Sequence, residues 1–268
     1  MALYDPDAAE MKEYAGIDIF VPGTWMERDI DWDRLFHILV LTGAAFGLLV
    51  LSAVIIMIPM IAAGLIYIDV VTFDMYIDPV AMLVINFASF GLIVPPIWYV
   101  KRNGYSMRSV GLSRLKFAQE SVIGLGVGVL MVGANLGVTF VVDRLTGGTG
   151  VGDEGLFIIS NELELLVWIL VMFGVVGVTE ELLMRGFLQR RIELYFSTRR
   201  KKPGLYALLI TSFIFGVMHL SILGLPTRFV LGLFLGGLAQ RRNYSIVGPT
   251  MAHGLNNATV VIIAFLGF

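Results

Sequence analysis

Residues 163–186 read LELLVWILVMFGVVGVTEELLMRG, a run that is apolar apart from one early glutamate and a charged cluster near its end. A helix of about 20 apolar residues can cross the ~30 Å hydrocarbon core of a bilayer. Charged side chains are unfavourable inside such a helix, by ~2.5–3.5 kcal/mol each on insertion scales. Glu181 and Arg185 have i,i+4 spacing, so the arginine can pair with a glutamate on one helix face and leave Glu180 available. A purely structural ion pair near the end of the span is the alternative interpretation.

The rest of the chain repeats this pattern of long apolar blocks. Of its 268 residues, 57% are apolar and only 15% are charged, whereas soluble domains average roughly 45–50% and ~25%. A window of about 20 residues finds seven blocks, at 35–68, 79–100, 117–142, 163–184, 204–220, 229–239 and 246–268. The first block would give an eighth span if it broke at Pro59, although a kink there is an equally good interpretation. We therefore predict an all-α, polytopic integral membrane bundle.

The connections between the blocks alternate in charge. Those at 101–116, 190–202 and 241–244 are basic, whereas those at 69–78 and 143–162 are mainly acidic. Because cytoplasmic loops carry the excess of Lys and Arg, we expect the basic connections to face the cytoplasm. The first 34 residues, with nine acids and three bases, then form a cytoplasmic N-terminal segment, and residues 35–268 form one transmembrane domain. This topology explains the basic runs, so we expect no nucleic-acid partner.

The composition also limits the chemistry and the compartment. The chain contains zero cysteines, which excludes a thiol nucleophile, thiolate metal ligands and disulfides. Its start is long and acidic, unlike the short basic start of a secretory signal peptide. These features favour a prokaryotic inner (cell) membrane, with the lipid bilayer as a partner.

Polar side chains occur in two further apolar blocks. The fifth block ends FIFGVMH at His219, and the last contains HGLNN at 253–257. His253 and Asn257 are i,i+4 and point into the same space, whereas Asn256 points about 100° away and is the poorer candidate. A single histidine in an apolar helix is more often a hydrogen-bonded structural residue. Here, however, three helices each contain polar groups: one has a carboxylate pair, one an imidazole, and one an imidazole with an amide. Together these are the groups that activate a water and stabilise an oxyanion.

These groups resemble the motifs of the CAAX-protease and bacteriocin-processing (CPBP, Abi) family of intramembrane proteases, which includes the Ras-converting CAAX prenyl endopeptidase. The family patterns are Glu-Glu-x-x-x-Arg, Phe-x-x-x-His and His-x-x-x-Asn on three spans. Here they occur in the same order as EELLMR at 180–185, FGVMH at 215–219 and HGLNN at 253–257. The resemblance covers about residues 110–260, the expected protease core. Met184 is a departure, because many members have phenylalanine at that position.

The resemblance implies an endopeptidase that cuts a peptide bond near the cytoplasmic membrane face. Glu180, with His219, would hold and deprotonate the attacking water. His253 and Asn257 would form the oxyanion hole, with Glu181 and Arg185 in supporting roles. The implied substrate is a peptide or protein chain, and the sequence leaves open whether that chain is prenylated.

Two cofactor hypotheses follow from the resemblance. We favour a metal-free, glutamate-dependent site, because the chain has no His-Glu-x-x-His motif and no thiolate. In the alternative, a metalloendopeptidase, Glu180, His219 and His253 would supply three zinc ligands with water in the fourth position.

Two other classes of function remain as alternatives. A transporter also places Glu, His and Asn within the membrane, but it predicts repeats and broken helices in matching halves, which the sequence does not show. A non-proteolytic membrane scaffold, or a bacteriocin-immunity-type protein, would retain the fold without turnover. The intact set of Glu180, His219, His253 and Asn257 argues against such a degenerate protein.

Overall fold

The computed structural model describes residues 30–70, 75–112, 116–147 and 159–267. Within these ranges the chain forms seven long helices, which are α1 (Trp32–Ala62), α2 (Pro79–Arg102), α3 (Phe117–Thr146), α4 (Glu162–Ser197), α5 (Pro203–Val217), α6 (Leu225–Arg241) and α7 (Val247–Phe265). A short hairpin of β1 (Ile66–Ile68) and β2 (Met75–Ile77) links α1 to α2. The predicted all-α bundle is confirmed. Of the acidic segment predicted at 1–34, residues 1–29 lie outside the described residues.

The lengths and surfaces of the helices fit a membrane protein. Among the described residues, four helices are long and apolar enough to cross a membrane, namely α1, α2, α3 and α4. The apolar α5 is shorter, with 15 residues, and α6 and α7 have 17 and 19. Large apolar side chains such as Ile55 on α1 and Leu130 on α3 are exposed, as expected for a surface that contacts lipid. The exact number of spans stays a prediction.

The first apolar block forms one helix that continues through Pro59. This proline lies three residues before the end of α1 and removes one hydrogen bond of the ladder, a loss that a membrane-spanning helix in a bundle tolerates. Gly64 follows with φ 73°, the left-handed conformation that commonly terminates a helix. Residues 66–68, predicted as part of the block, instead form β1, whose Tyr67 ring stacks on Tyr76 of β2 at a centroid distance of 4.9 Å.

The basic stretch at 190–202 is helical over its first part, since α4 continues to Ser197. Arg191 explains this difference from the predicted connection. Its Nη1 donates to the carbonyl oxygens of Gly186 and Phe187, at 3.3 and 3.0 Å, and its guanidinium lies 4.5 Å from the Phe187 ring centroid. The arginine is therefore a buried packing residue of α4 rather than a loop charge.

Glycines allow α3 and α7 to pack closely. The third apolar block contains Gly124, Gly126, Gly128, Gly133 and Gly137, whose small-xxx-small spacing predicts close helix contact. A Cβ at Gly124 would lie 2.3 Å from the carbonyl oxygen of Gly248, and one at Gly128 would lie 3.1 Å from the Cα of Ala252. The other three glycines have nothing within 4 Å. Of these five glycines, Gly124 and Gly128 are therefore the two that lie against α7.

Buried polar contacts join several helices at one end of the bundle. Arg242, just after α6, donates from Nε to both carboxylate oxygens of the buried Glu120 on α3, at 3.0 and 3.2 Å. These hydrogen bonds raise the pKa of Arg242 above its usual value. Arg199, after α4, donates to the carbonyl oxygen of Ile30 at 3.1 Å, next to the start of α1. The basic connections thus lie at the same end of the bundle.

A second polar cluster at this end joins α4, α5 and the chain after α6. Glu193 accepts hydrogen bonds from the Tyr244 hydroxyl and from Nε2 of Gln240, the latter at 3.1 Å. The same Nε2 donates to the carbonyl oxygen of Gly204 at 2.7 Å. Burial, together with the Glu193 carboxylate, raises the pKa of Tyr244 well above its usual value, so its hydroxyl remains a donor at physiological pH.

Gly124→Ala should lower the melting temperature of the detergent-purified protein, because its Cβ would overlap the backbone of Gly248 and push α3 from α7. Overpacking of this kind typically destabilises by about 1–3 kcal/mol. Gly126→Ala is the matched control, since its Cβ enters open space on the same helix. Thermal unfolding of both variants and the parent provides the measurement. Equal melting temperatures for the two variants would contradict the close contact.

Candidate active site

A polar cavity of about 250 Å³ lies inside the helix bundle. Every helix from α2 to α7, or the turn that follows it, contributes a side chain to its wall. The polar lining residues are Asn86, Asn135, Thr139, Glu180, His219, Thr227, Arg228, His253, Asn256 and Asn257. Four predicted site residues, Glu180, His219, His253 and Asn257, therefore line one space. Glu181 and Arg185 do not line it.

The two glutamates lie on a short irregular part of α4. They belong to a single α-helical turn, Val178–Glu181, between π-helical segments at Met172–Gly177 and Leu182–Gln189. Such π segments change the direction in which neighbouring side chains point and frequently occur at functional sites. Glu180 is partly buried and faces the cavity, whereas Glu181 is fully buried behind it.

The buried Glu181 carboxylate joins two charged or polar partners from different directions. Its Oε1 accepts hydrogen bonds from Nη1 of Arg185 at 3.1 Å and from Nδ1 of His253 at 2.9 Å. Arg185 is 1% exposed, and its guanidinium lies 4.5 Å from the ring centroid of Phe215. The helical spacing predicts the Glu181–Arg185 pair. The bond to His253 has no sequence signal, because it comes from α7.

The imidazole of His253 is oriented by this carboxylate. Because a carboxylate oxygen only accepts, Nδ1–H donates to Glu181, and Nε2 is the ring nitrogen nearer Glu180. Nε2 lies 3.9 Å from Oε2 of Glu180, which is beyond direct hydrogen-bond distance. That Oε2 is buried and has no hydrogen-bond partner within the described ranges. A carboxylate oxygen in this state is suited to hold a water molecule.

His219 enters the cavity from the turn after α5. Its Nδ1 donates to the carbonyl oxygen of Phe215 at 2.8 Å, so Nε2 is the acceptor in the neutral ring. The chain then turns at Leu220, whose positive φ of 53° ends the helical path. The Phe215 ring stands edge-on to both imidazoles, with centroids 5.0 Å from His219 and 5.7 Å from His253. Phe215 thus packs between the two histidines.

A row of amide side chains forms another part of the wall. Nδ2 of Asn135, on α3, donates to Oδ1 of Asn256 at 3.0 Å, and Nδ2 of Asn256 donates to Oδ1 of Asn257 at 3.3 Å. The helical spacing makes Asn256 the poorer candidate, but the structure places it on the cavity wall beside Asn257. Sequence reasoning missed Asn135. An amide within an otherwise apolar span is the signal that could have identified it.

The zinc alternative requires a particular arrangement of donor atoms. A catalytic zinc needs three protein ligands at about 2.0–2.2 Å and one open position. Among the described residues, no group of three or more His, Cys, Asp or Glu side chains is arranged to hold a metal ion. As arranged in this structure, Glu180, His219 and His253 do not form such a group. The metal-free site remains a prediction.

The fold and the cavity define a class of protein: an all-α integral membrane protein with carboxylate, imidazole and amide groups inside its bundle. Residues 162–259 match the family model described as Type II CAAX prenyl endopeptidase Rce1-like. This match covers little more than a third of the chain and supports its assignment to the CPBP/CAAX protease family. The resemblance seen in the three motifs is thereby confirmed. Comparisons with curated proteins and with solved structures gave no match.

Arg185→Met should strongly destabilise the fold, because it leaves the Glu181 carboxylate buried without its cation. Removing one partner of a buried ion pair typically costs about 3–5 kcal/mol. Thermal unfolding in detergent is the measurement, with Arg241→Met at the exposed end of α6 as the matched control. Adding Glu181→Gln to Arg185→Met should recover part of the loss. Similar melting temperatures for the Arg185 and Arg241 variants would show that the buried pair contributes little.

Proposed function

We propose that the protein is a glutamate-dependent intramembrane endopeptidase that hydrolyses a peptide bond within the polar cavity. One observation carries the proposal: Glu180, His219, His253 and Asn257 come from three separate parts of the chain and line a single space. Structural ion pairs and isolated core histidines do not require this convergence. The CAAX-type family assignment gives independent support for a peptidase.

The attacking water is held between Oε2 of Glu180 and Nε2 of His219. Glu180 removes its proton as the oxygen bonds to the scissile carbonyl carbon, and His219 holds the water in line. A positioned general base of this kind contributes typically 10²–10⁴-fold to the rate. Glu180, now protonated, then donates the proton to the leaving amine as the C–N bond breaks. The carboxylate is thus restored at the end of the cycle.

The negative oxygen of the tetrahedral intermediate is stabilised by Asn257 and His253. The Nδ2–H of Asn257 donates to it directly. His253 already donates Nδ1–H to Glu181, so it offers a second donor from Nε2 only as the imidazolium. One such donor is worth about 10²–10³ in kcat. Glu181 accepts the hydrogen bond from Nδ1 and fixes the ring, as a buried carboxylate does in a catalytic triad.

We place the basic end of the bundle in the cytoplasm of a cell with an inner membrane, so that α1 begins inside. Support comes from the exposed lysines and arginines at the end where Arg242 meets Glu120, because cytoplasmic loops carry the excess of positive charge. The substrate is then a membrane-associated peptide or protein chain that reaches the cavity from within or beside the bilayer. Cleavage of matched prenylated and unprenylated peptides tests whether a prenyl group is required.

Glu180→Gln should lower kcat/KM for peptide cleavage by about 10²–10⁴-fold, because the amide cannot take a proton from water. Detergent-purified protein is assayed with fluorogenic peptides, including a farnesylated CAAX sequence and its unprenylated form. Glu162→Gln, at the exposed start of the same helix, is the control and should retain activity. A chelator is included in parallel, and full activity in its presence supports the metal-free site.

The outcomes separate the competing functions. If the Glu180→Gln variant still cleaves the peptides, the assignment of this residue as the base is overturned. Loss of activity with chelator, restored by zinc, would overturn the metal-free mechanism. No cleavage of any peptide by folded protein would favour the scaffold or bacteriocin-immunity alternative.

Single-cysteine variants test the orientation, because the chain itself contains zero cysteines. Ile68→Cys, in the exposed hairpin strand β1, should react with a membrane-impermeant maleimide in intact cells. Lys201→Cys, in the connection after α4, should react only after the membrane is permeabilised. The reverse pattern would show that the basic end faces outward.

A further inference from the structure

A chain of hydrogen bonds between side chains runs from α3 to the candidate oxyanion donor. The Thr139 hydroxyl donates to Oδ1 of Asn135 at 3.4 Å. Asn135 donates from Nδ2 to Oδ1 of Asn256 at 3.0 Å, and Asn256 donates from Nδ2 to Oδ1 of Asn257 at 3.3 Å. We name these four residues, Thr139, Asn135, Asn256 and Asn257, the amide relay.

The relay has a direction. An asparagine side chain has an acceptor oxygen on one side and an NH₂ donor on the other. In Asn135 and Asn256 alike, the oxygen accepts from the preceding residue and the NH₂ donates to the following one. Asn257 receives the last of these bonds on Oδ1. Its own Nδ2 makes no hydrogen bond within the described part of the chain, and the residue lines the cavity.

This direction matters for an oxyanion hole. If the Asn257 amide rotated by 180°, its carbonyl oxygen would replace its NH₂ toward the developing negative charge and would repel it. Oxyanion donors accelerate a reaction because they are already oriented before the charge forms. Asn256 is 3% exposed, so little water competes for its hydrogen bonds, and each bond is stronger than it would be in water.

We propose that Asn256 and Asn135 are positioning residues, which fix the Asn257 amide so that its Nδ2–H faces the scissile carbonyl. This inference rests on the proposed function. The helical spacing gives Asn256 no role, because it points about 100° away from the His253–Asn257 face. The role of Asn256 follows from its hydrogen bond with Asn135 on α3, which the spacing along α7 does not indicate.

A purely structural role for the same bonds makes a different prediction. Hydrogen bonds between polar side chains of adjacent membrane helices stabilise the helix pair. If the relay served only to join α3 to α7, its loss would lower the stability of the protein. Any effect on kcat would then be independent of Asn257. A positioning role acts on the transition state, so it should lower kcat and leave KM unchanged.

The test compares Asn256→Leu, Asn257→Ala and the double variant in the peptide cleavage assay. We expect Asn256→Leu to lower kcat by about tenfold or more with KM unchanged, and Asn257→Ala to lower kcat by about 10²–10³-fold. The decisive result is non-additivity: in the Asn257→Ala background, Asn256→Leu should have no further effect on kcat. Thr259→Val, which removes a hydroxyl bonded within α7, is the control and should leave kcat unchanged.

Melting temperatures are measured for each variant. If Asn256→Leu does not fold, Asn135→Leu replaces it, since it removes the bond one step earlier and should show the same non-additivity with a smaller loss. Equal losses of kcat in both backgrounds, or an unchanged kcat in Asn256→Leu, would overturn the relay. The Glu180→Gln variant is assayed in parallel to show that the cleavage depends on Glu180. If the wild-type protein shows no Glu180-dependent cleavage, the proposed function fails and the relay fails with it.

Discussion

The site is organised around one buried carboxylate oxygen, Oε1 of Glu181, which accepts hydrogen bonds from both Arg185 and His253. A buried charge is tolerated only when it is paired and hydrogen-bonded, and the arginine meets that need within α4. The bond to His253 then fixes α7 against α4 and sets the tautomer of the imidazole. The same oxygen therefore satisfies a structural requirement and orients a side chain of the cavity.

The bundle must bring helices close enough for this short contact to form. Gly124 leaves room for the backbone of α7 beside α3, and Gly254 leaves room for the Phe173 ring of α4, since a Cβ there would lie 2.5 Å from that ring. In lipid the hydrophobic effect does not drive helices together, so close packing of this kind provides much of their attraction. At the basic end of the bundle, hydrogen bonds in the polar clusters around Glu120 and Glu193 join the helices.

The irregular parts of α4 give the site its shape. Between two π-helical segments, the turn that carries Glu180 and Glu181 directs one carboxylate into the cavity and leaves the other buried. An apolar pattern with a period of 3.6 residues predicts a straight helix and contains no signal for such a change. The same is true of strand β1, whose residues Ile66–Ile68 are as apolar as the helix before them but follow the left-handed Gly64.

The sequence by itself determined the membrane fold class, the positions of the apolar helices and the three motifs, because hydropathy and i,i+4 spacing are local properties. It also determined the Glu181–Arg185 pair, which lies on one helix. Only the tertiary structure decided that Glu180, His219, His253 and Asn257 line one cavity and that Asn256 belongs beside them. The physical reason is that these relations join different helices, and the rotation and depth of each helix depend on what packs against it.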